Sequence, residues 1–221
     1  MSDTRSAERL TLTTGAQALG LSLNDTTVER LLAYLDLLLQ WNQTYNLTAI
    51  RDRQHALTHH LLDSLTVVLP LQRHLSARSL SQASVLDVGS GGGLPGAVLA
   101  SVCPELQVTC VDAVAKKAGF IRQTSAELGL PRLQARHSRV EQIQDARYDV
   151  ITSRAFSSLP DLIRLTRPLL APGGVWMAMK GQHPGDELAA LPADIEVFHV
   201  EPLQVPGLEA ERCLIWMRPR V

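Results

Sequence analysis

The stretch best suited to chemistry is "VLDVGSGGGLPGAVLA", residues 85–100, which predicts a strand, a glycine-rich turn and then a helix. Gly91, Gly93 and Gly96 satisfy the pattern G-x-G-x-x-G, and the acidic residue Asp112 follows about 20 residues further on. Such a turn lets the backbone approach a nucleotide-like ligand, and the acid binds its ribose hydroxyls. The spacing alone is typical of a dinucleotide-binding unit and leaves a nicotinamide-dependent oxidoreductase open.

A second acidic residue changes the choice of ligand, because Asp87 lies at the end of the predicted strand, just before the turn. An anion there would repel a pyrophosphate but would attract a cationic amino acid. S-adenosylmethionine carries an ammonium, a sulfonium and a ribose but no phosphate. Asp87 would attract its methionine end, Gly89 and Gly91 would allow close backbone approach, and Asp112 would bind both ribose hydroxyls. The alternative for Asp87 is a structural anion at the N-terminus of the following helix.

The elements that must position these residues follow from the pattern of apolar runs. From residue 84 onwards, seven short apolar runs alternate with helical stretches, which predicts parallel strands joined by right-handed crossovers. The last two runs are separated only by "PGLEAE" and should pair as an antiparallel hairpin at the end of the sheet. We therefore expect a Rossmann-like α/β domain over residues 84–221, the fold class of class I S-adenosylmethionine-dependent methyltransferases. This order of elements favours a methyltransferase over a nicotinamide enzyme.

Residues 1–75 are predicted to form an N-terminal helical extension. Apolar residues recur at helical spacing over residues 24–41, and Ser22 with Asp25 resembles a capping box for that helix. A further helix is expected after "NQTYNLT", ending at Pro70.

Composition limits the class of protein further. The net charge is −1, but residues 113–183 contain 11 Lys and Arg against 5 Asp and Glu, so a basic face could meet phosphates. A set of solvated helix faces explains the same charges equally well. Three cysteines without a CxxC pair indicate reduced thiols, and no signal peptide or membrane-length apolar run is visible. We expect a cytoplasmic monomer without a membrane partner.

Six stretches together resemble the RsmG (GidB) family in their order and spacing. They are "LDLLLQWNQTYNLTAI", "HHLLDSL", "LDVGSGGGLPG", "SRVEQ", "DVITSRAF" and "MKGQ", and the resemblance extends from about residue 24 to residue 215. Members of this family use S-adenosylmethionine to methylate N7 of one guanine in a conserved loop of bacterial 16S ribosomal RNA. The resemblance therefore implies this reaction, with the small ribosomal subunit as partner. Most members have T-G-P-G in the turn, where this chain has Ser90-Gly91-Gly92-Gly93.

The resemblance also implies cofactor contacts at Gly89, Leu94, Val140, Glu141 and Arg154. Val140 and Glu141 follow the third predicted strand, where an adenine would find an apolar contact and polar groups. Arg154 ends the fourth strand, beside the expected site of methyl transfer. The alternatives are an ordinary strand-to-helix turn for the first pair and a surface salt bridge for Arg154.

Guanine N7 carries an in-plane lone pair and no proton, so methylation there needs alignment rather than a general base. We expect Arg139 and Arg154 to act as the catalytic residues by holding an RNA phosphate or the guanine edge. Lys180, at the end of the fifth strand, is expected to bind the substrate beside them. Two other functions stay open, which are methylation of a small molecule or protein and cofactor binding by an RNA-associated factor without catalysis.

The helical extension supplies further candidates. Trp41 and Tyr45 could stack on a base, and Asn42 and Asn46 could hydrogen-bond to it. Alternatively, the two rings pack the extension against the sheet and the asparagines cap the helix end.

The histidine-containing segment "HALTHHLLDS" is expected to line the cleft beneath the helices. His60, Asp63 and Ser64 are the substrate-binding candidates there. His55 and His59 lie four residues apart, but no carboxylate or cysteine cluster accompanies them, so we expect no metal site.

Overall fold

The computed structural model describes residues 2–220. Helices precede the sheet and alternate with its strands, as α1 (Ser2–Ala18), α2 (Asp25–Tyr45), α3 (Arg53–Ala56), α4 (Asp63–Leu65), α5 (Val68–Ala77), α6 (Gly96–Val102), α7 (Ala115–Glu127), α8 (Leu159–Thr166) and α9 (Gly185–Ala189). Short 3-10 turns cover Val140–Gln142 and Arg167–Leu169. The segment Leu57–Leu62, between α3 and α4, is π-helical and is called the π turn below.

The strands form one seven-stranded sheet. They are β1 (Ser84–Val88), β2 (Gln107–Asp112), β3 (Leu133–His137), β4 (Tyr148–Ser153), β5 (Leu170–Lys180), β6 (Ile195–Pro202) and β7 (Cys213–Pro219). Their order is β3-β2-β1-β4-β5-β7-β6. The first five strands are parallel, whereas β7 is antiparallel to both β5 and β6. This confirms the predicted mostly parallel sheet with an antiparallel C-terminal hairpin.

The central strands are buried on both faces, which explains their nearly continuous apolar sequences. On β1, Val85 faces a core shared with α6, α7 and the helices of the extension, whereas Leu86 faces a second core that includes α8. The extension therefore packs on the same side of the sheet as α6 and α7, beside the turn that follows β1.

Two details of the extension differ from the sequence-based expectations. The N-cap of α2 is Asn24, whose side chain accepts a hydrogen bond from the Thr27 N–H, so the capping box predicted at Ser22 and Asp25 is wrong. Pro70 does not end a helix, because it lies in the first turn of α5, where the missing N–H needs no intrahelical partner.

Ion pairs connect the first three helices. Arg53 donates to the buried carboxylate of Glu8 on α1 and also pairs with Asp36 of α2. Among the described helices, none is long and apolar enough to cross a membrane.

Candidate cofactor and substrate cleft

The glycine turn after β1 is shaped by left-handed backbone conformations. Gly91 has a φ of +59°, and a Cβ added there would meet no atom within 4 Å, so its backbone faces open space. At Gly96 the reason for glycine is different, since a Cβ would lie 2.5 Å from Cys110 Sγ and 2.9 Å from Asp87 Oδ2. Gly91 thus leaves room for a ligand, and Gly96 lets α6 approach the sheet closely.

Asp87 lies beneath this turn and is fully buried. Its Oδ2 accepts a hydrogen bond from the Gly96 N–H at 2.9 Å and another from the Cys110 thiol at 3.9 Å, while Oδ1 has no partner within residues 2–220. Burial raises the pKa of Asp87 to about 7, although the Gly96 hydrogen bond opposes this shift. The hydrogen bond to the first residue of α6 is the contact that a structural anion would make, and the unpartnered oxygen leaves acceptor capacity beneath the turn.

Asp112, at the end of β2, holds the turn from the neighbouring strand. Its Oδ2 accepts from the Gly91 N–H at 3.1 Å, and its Oδ1 accepts from the Val114 N–H at 2.9 Å. Lys117 Nζ lies 3.5 Å from the same carboxylate. A carboxylate offers about four lone-pair sites, so the two backbone N–H groups leave Asp112 two acceptors, one of which lies next to Lys117.

A cavity of about 260 Å³ opens between the turn and the helical extension. Its lining combines both parts of the chain, as Leu38, Leu47, Thr48, His60, Gly89, Ser90, Gly91, Gly92, Leu94, Lys117, Arg154 and Ala155. Five of the predicted site residues therefore lie together, namely Gly89, Gly91, Leu94, His60 and Arg154.

Sequence reasoning missed several residues of this lining. Lys117 lies in the first turn of α7, and this position beside Asp112 could have identified it. Thr48 belongs to the segment "WNQTYNLT", in which the aromatic and asparagine residues are the predicted contacts. Tyr34 of α2, which is not part of the lining, was also missed, and its hydroxyl donates to the Gly92 carbonyl at 2.7 Å. It fixes the extension over the turn.

Arg154 follows β4 and reaches towards the extension. Its Nη1 donates to the His59 carbonyl at 2.9 Å and to Asp63 Oδ2 at 3.2 Å. Asp63 also accepts from Arg212 Nε at 3.0 Å, through its other oxygen. Asp63 and Ser64 are buried and do not line this cavity, in contrast to the expectation that they line the cleft. The Ser64 hydroxyl has no hydrogen-bond partner in the described part of the chain.

His60 lines the cavity in its neutral form. Burial, together with the positive charge of Arg154, lowers its pKa to about 4. Its Nδ1 lies 3.2 Å from the His59 carbonyl, which can only accept, so Nδ1 carries the proton. Its Nε2 then accepts from the Thr48 hydroxyl at 3.0 Å.

The polar residues at the end of α2 have structural contacts. Asn42 accepts from the Thr48 N–H at 2.9 Å and donates to the Ile50 carbonyl at 3.3 Å, so it fixes the loop that carries Thr48. Asn46 ends α2 in a left-handed conformation with a φ of 49° and accepts from Arg51. Asn46 thus lies at the C-terminal end of α2, as the helix-capping alternative expects, whereas Asn42 binds the following loop instead. Asn46 stays exposed at the surface.

The two aromatic residues of this segment have different surroundings. Trp41 packs edge-to-face on Phe120 of α7, with ring centroids 5.6 Å apart. Tyr45 lies 5.0 Å from the Trp41 ring and keeps 42% of its surface exposed. Trp41 therefore joins the extension to α7, whereas the Tyr45 ring is accessible to a base.

The remaining candidates lie outside the cavity lining of the described structure. Val140 is buried in the 3-10 turn after β3, and Glu141 beside it is exposed. Arg139 is 72% exposed, with its nearest carboxylate, Glu141, 3.9 Å away. Lys180 is paired with Glu187 at 2.8 Å.

Within residues 2–220, no group of three or more His, Cys, Asp or Glu side chains could hold a metal ion. The rings of His55 and His59 are 6.0 Å apart and have no such group around them.

Comparison with known proteins places this geometry in a family. The family model described as GidB, rRNA small subunit methyltransferase G, matches residues 27–215. A protein of Leptothrix cholodnii named ribosomal RNA small subunit methyltransferase G is 65% identical over 213 residues, covering 96% of each chain. A protein of the same name from Methylibium petroleiphilum is 59% identical, covering 92% of this chain and 90% of the relative.

Solved structures support the fold. The glycopeptide N-methyltransferase MtfA complexed with sinefungin aligns with a TM-score of 0.57 at 12% identity, over 70% of this chain and 87% of that one. This likeness shows the class I methyltransferase fold, while the sequence matches identify the family. The chain belongs to the GidB family of rRNA small subunit methyltransferases G.

Proposed function

We propose that the chain transfers the methyl group of S-adenosylmethionine to N7 of a guanine in bacterial 16S ribosomal RNA. Family membership over residues 27–215 supports the reaction class. The observation that carries the proposal is the cavity at the carboxyl edge of β1 and β4. It brings the glycine turn, Arg154 and the helical extension to one place.

The chain's own groups fit S-adenosylmethionine. The open backbone at Gly91 allows close approach, and the free Oδ1 of Asp87 offers a buried acceptor below the turn. Asp112 would bind the ribose hydroxyls with its remaining lone pairs, and Gly89 and Leu94 would contact the methionine end. When bound, the cofactor supplies a methyl group activated by its sulfonium charge.

The adenine is assigned to the edge of the sheet beyond β2. There the buried side chain of Val140 would provide an apolar contact, and Glu141 is exposed next to it. The cavity volume of about 260 Å³ is slightly below the roughly 300–1,000 Å³ of pockets that enclose a whole ligand. We therefore assign the methionine end to the cavity and the adenosine to its open side.

Alignment is the chemical task that remains for the protein. Guanine N7 needs no deprotonation, and His60, whose pKa is about 4, is already neutral and held by Thr48. Arg154 would orient the guanine in line with the transferable methyl group, because its Nη1 is fixed by two acceptors. The exposed Arg139 would hold an RNA phosphate at the rim.

The substrate is assigned to the side of the cavity covered by the extension. Asn46 and Tyr45 would meet the RNA there, and the target guanine must leave its stack or come from an unpaired loop. Asp63, Ser64 and Lys180, which lie away from the cavity lining, would act on the substrate only indirectly. We treat residues 1–75 and 84–221 as the helical extension and the methyltransferase domain, and the active form as a cytoplasmic monomer.

The proposal is tested with small ribosomal subunits purified from a strain that lacks the corresponding gene. The protein should transfer radiolabel from S-adenosylmethionine to the 16S RNA of these subunits, but not to subunits from the parent strain, which are already methylated. Cofactor binding without label in RNA would contradict the substrate assignment. In that case, label in a protein or small-molecule fraction would favour a methyltransferase that acts on that substrate. No label in any fraction would favour a cofactor-binding factor without catalysis.

A further inference from the structure

Asp63 joins three segments that are remote in the sequence. It begins α4 in the helical extension, Arg154 follows β4, and Arg212 precedes β7. Asp63 Oδ2 lies 3.2 Å from Arg154 Nη1, and Oδ1 lies 3.0 Å from Arg212 Nε. The Asp63 side chain is only 3% exposed, so both contacts are shielded from solvent. We propose that Asp63 is a positioning residue for Arg154 in the methyl-transfer reaction, an inference that rests on the proposed function.

The π turn supplies the second contact to Arg154. In an α-helix the Asp63 N–H would donate to the His59 carbonyl, four residues earlier. Here it donates to the carbonyls of Thr58 and His60 instead. Arg154 Nη1 donates to the His59 carbonyl at 2.9 Å. The widened turn therefore presents a backbone acceptor beside the Asp63 carboxylate, and such π segments occur frequently at functional sites.

These two acceptors fix the orientation of the guanidinium. Nη1 carries two hydrogens, and the His59 carbonyl and Asp63 Oδ2 account for both. Because the guanidinium is planar, fixing Nη1 also sets the directions of Nε and Nη2. Within the described residues, these two nitrogens have no hydrogen-bond partner, and Arg154 lines the cavity. Three N–H donors are thus left for the substrate in a defined plane.

Burial and charge distinguish this role from direct substrate binding. The Asp63 carboxylate is absent from the cavity lining, and both of its oxygens bind arginines. Arg212 also donates to the Glu211 carbonyl. It is therefore held by the β6–β7 connection while it binds the Asp63 carboxylate. Loss of the Asp63 charge would leave two partly buried cations without an anion and would release Arg154 from one of its two anchors.

The test is a double-mutant cycle measured by single-turnover methyl transfer. Asp63→Glu keeps the negative charge needed by both arginines but moves the carboxylate by one methylene group. We expect the rate to fall about 100-fold, since a misplacement of about 1 Å can cost this much. In an Arg154→Ala background, which is itself slower than the wild-type protein, Asp63→Glu should cause no further loss. Asp63→Asn, which removes the charge, should also slow the wild-type background but cause no further loss in the Arg154→Ala background.

The matched control is Glu8→Gln, because Glu8 is also a buried carboxylate of the extension that binds an arginine, Arg53. It should lower the thermal midpoint but leave the methyl-transfer rate unchanged. The proposal is overturned if Asp63→Glu transfers methyl at the wild-type rate, if Arg154→Ala does so, or if Asp63→Glu slows both backgrounds equally. Absence of labelled N7-methylguanine with the wild-type protein would instead overturn the proposed function.

Discussion

Replacing Gly91 by alanine separates the conformational role of the glycine turn from its ligand-binding role. At a φ of +59°, a side chain costs about 1–2 kcal/mol of folding free energy. The new Cβ would meet no protein atom within 4 Å, so no further steric loss of stability is expected. Its methyl group would instead project into the space assigned to S-adenosylmethionine. Overfilling a fitted site typically costs about 1–3 kcal/mol, which is about 5- to 150-fold in the dissociation constant.

Gly129 provides a matched control. It has a φ of +61° and nothing within 4 Å of an added Cβ, and it lies in the connection from α7 to β3. Gly91→Ala and Gly129→Ala should therefore lower the stability in urea by similar amounts. Isothermal titration calorimetry should show weakened S-adenosylmethionine binding only for Gly91→Ala. If Gly91→Ala binds the cofactor like the wild-type protein, or if both variants weaken binding equally, the assignment of the turn is wrong.

Three further predictions follow from the contacts around the turn and the rim. Asp87 has a native pKa of about 7, above its unfolded value, so its contribution to stability should be complete below about pH 4 and be lost as pH rises towards 7. In urea unfolding, the free energy of unfolding of the wild-type protein minus that of Asp87→Asn should therefore decrease from about pH 5 to about pH 8. An increase of this difference over the same range would refute the raised pKa. Tyr34→Phe removes the 2.7 Å hydrogen bond to the Gly92 carbonyl and should cost about 1–3 kcal/mol in thermal or urea unfolding; an unchanged stability would show that this contact does not hold the extension. Tyr45→Ala should weaken binding to small ribosomal subunits by about 1–3 kcal/mol in a filter-binding assay without changing cofactor affinity, and unchanged subunit binding would remove Tyr45 from the RNA interface.

The features that the sequence predicted well are those with local or periodic signals. Alternating apolar runs identify β1 and its neighbours, and the short "PGLEAE" connection predicts the antiparallel pairing of β6 and β7. The spacing from the glycines to Asp112 brings its carboxylate within hydrogen-bond distance of the Gly91 N–H, whereas its predicted contact with ribose stays a prediction.

The features that escaped prediction depend on small backbone changes or on remote partners. Nothing in the apolar spacing of "LTHHLL" distinguishes a π turn from an α-helix, because the two differ by a single residue in the hydrogen-bond pattern. The contact between Asp63 and Arg212 spans 149 positions. From the sequence, Lys180 is predicted to be a free cation at a strand end, but in the structure α9 places Glu187 beside it. The chemistry of each side chain is visible in the sequence, but its partner is set by the tertiary fold.

The most direct measurement for the central claim identifies the methylated atom. Small subunits from a strain that lacks the corresponding gene are incubated with the protein and labelled S-adenosylmethionine. Their 16S RNA is then digested completely to nucleosides, which are separated and identified by mass. Transfer to N7 predicts that all label appears as N7-methylguanosine. Label on N1, N2 or O6 of guanosine, on another base or on ribosomal protein would contradict the account. The cleft is proposed to align guanine N7 with the methyl group without removing a proton, and none of those products fits that role.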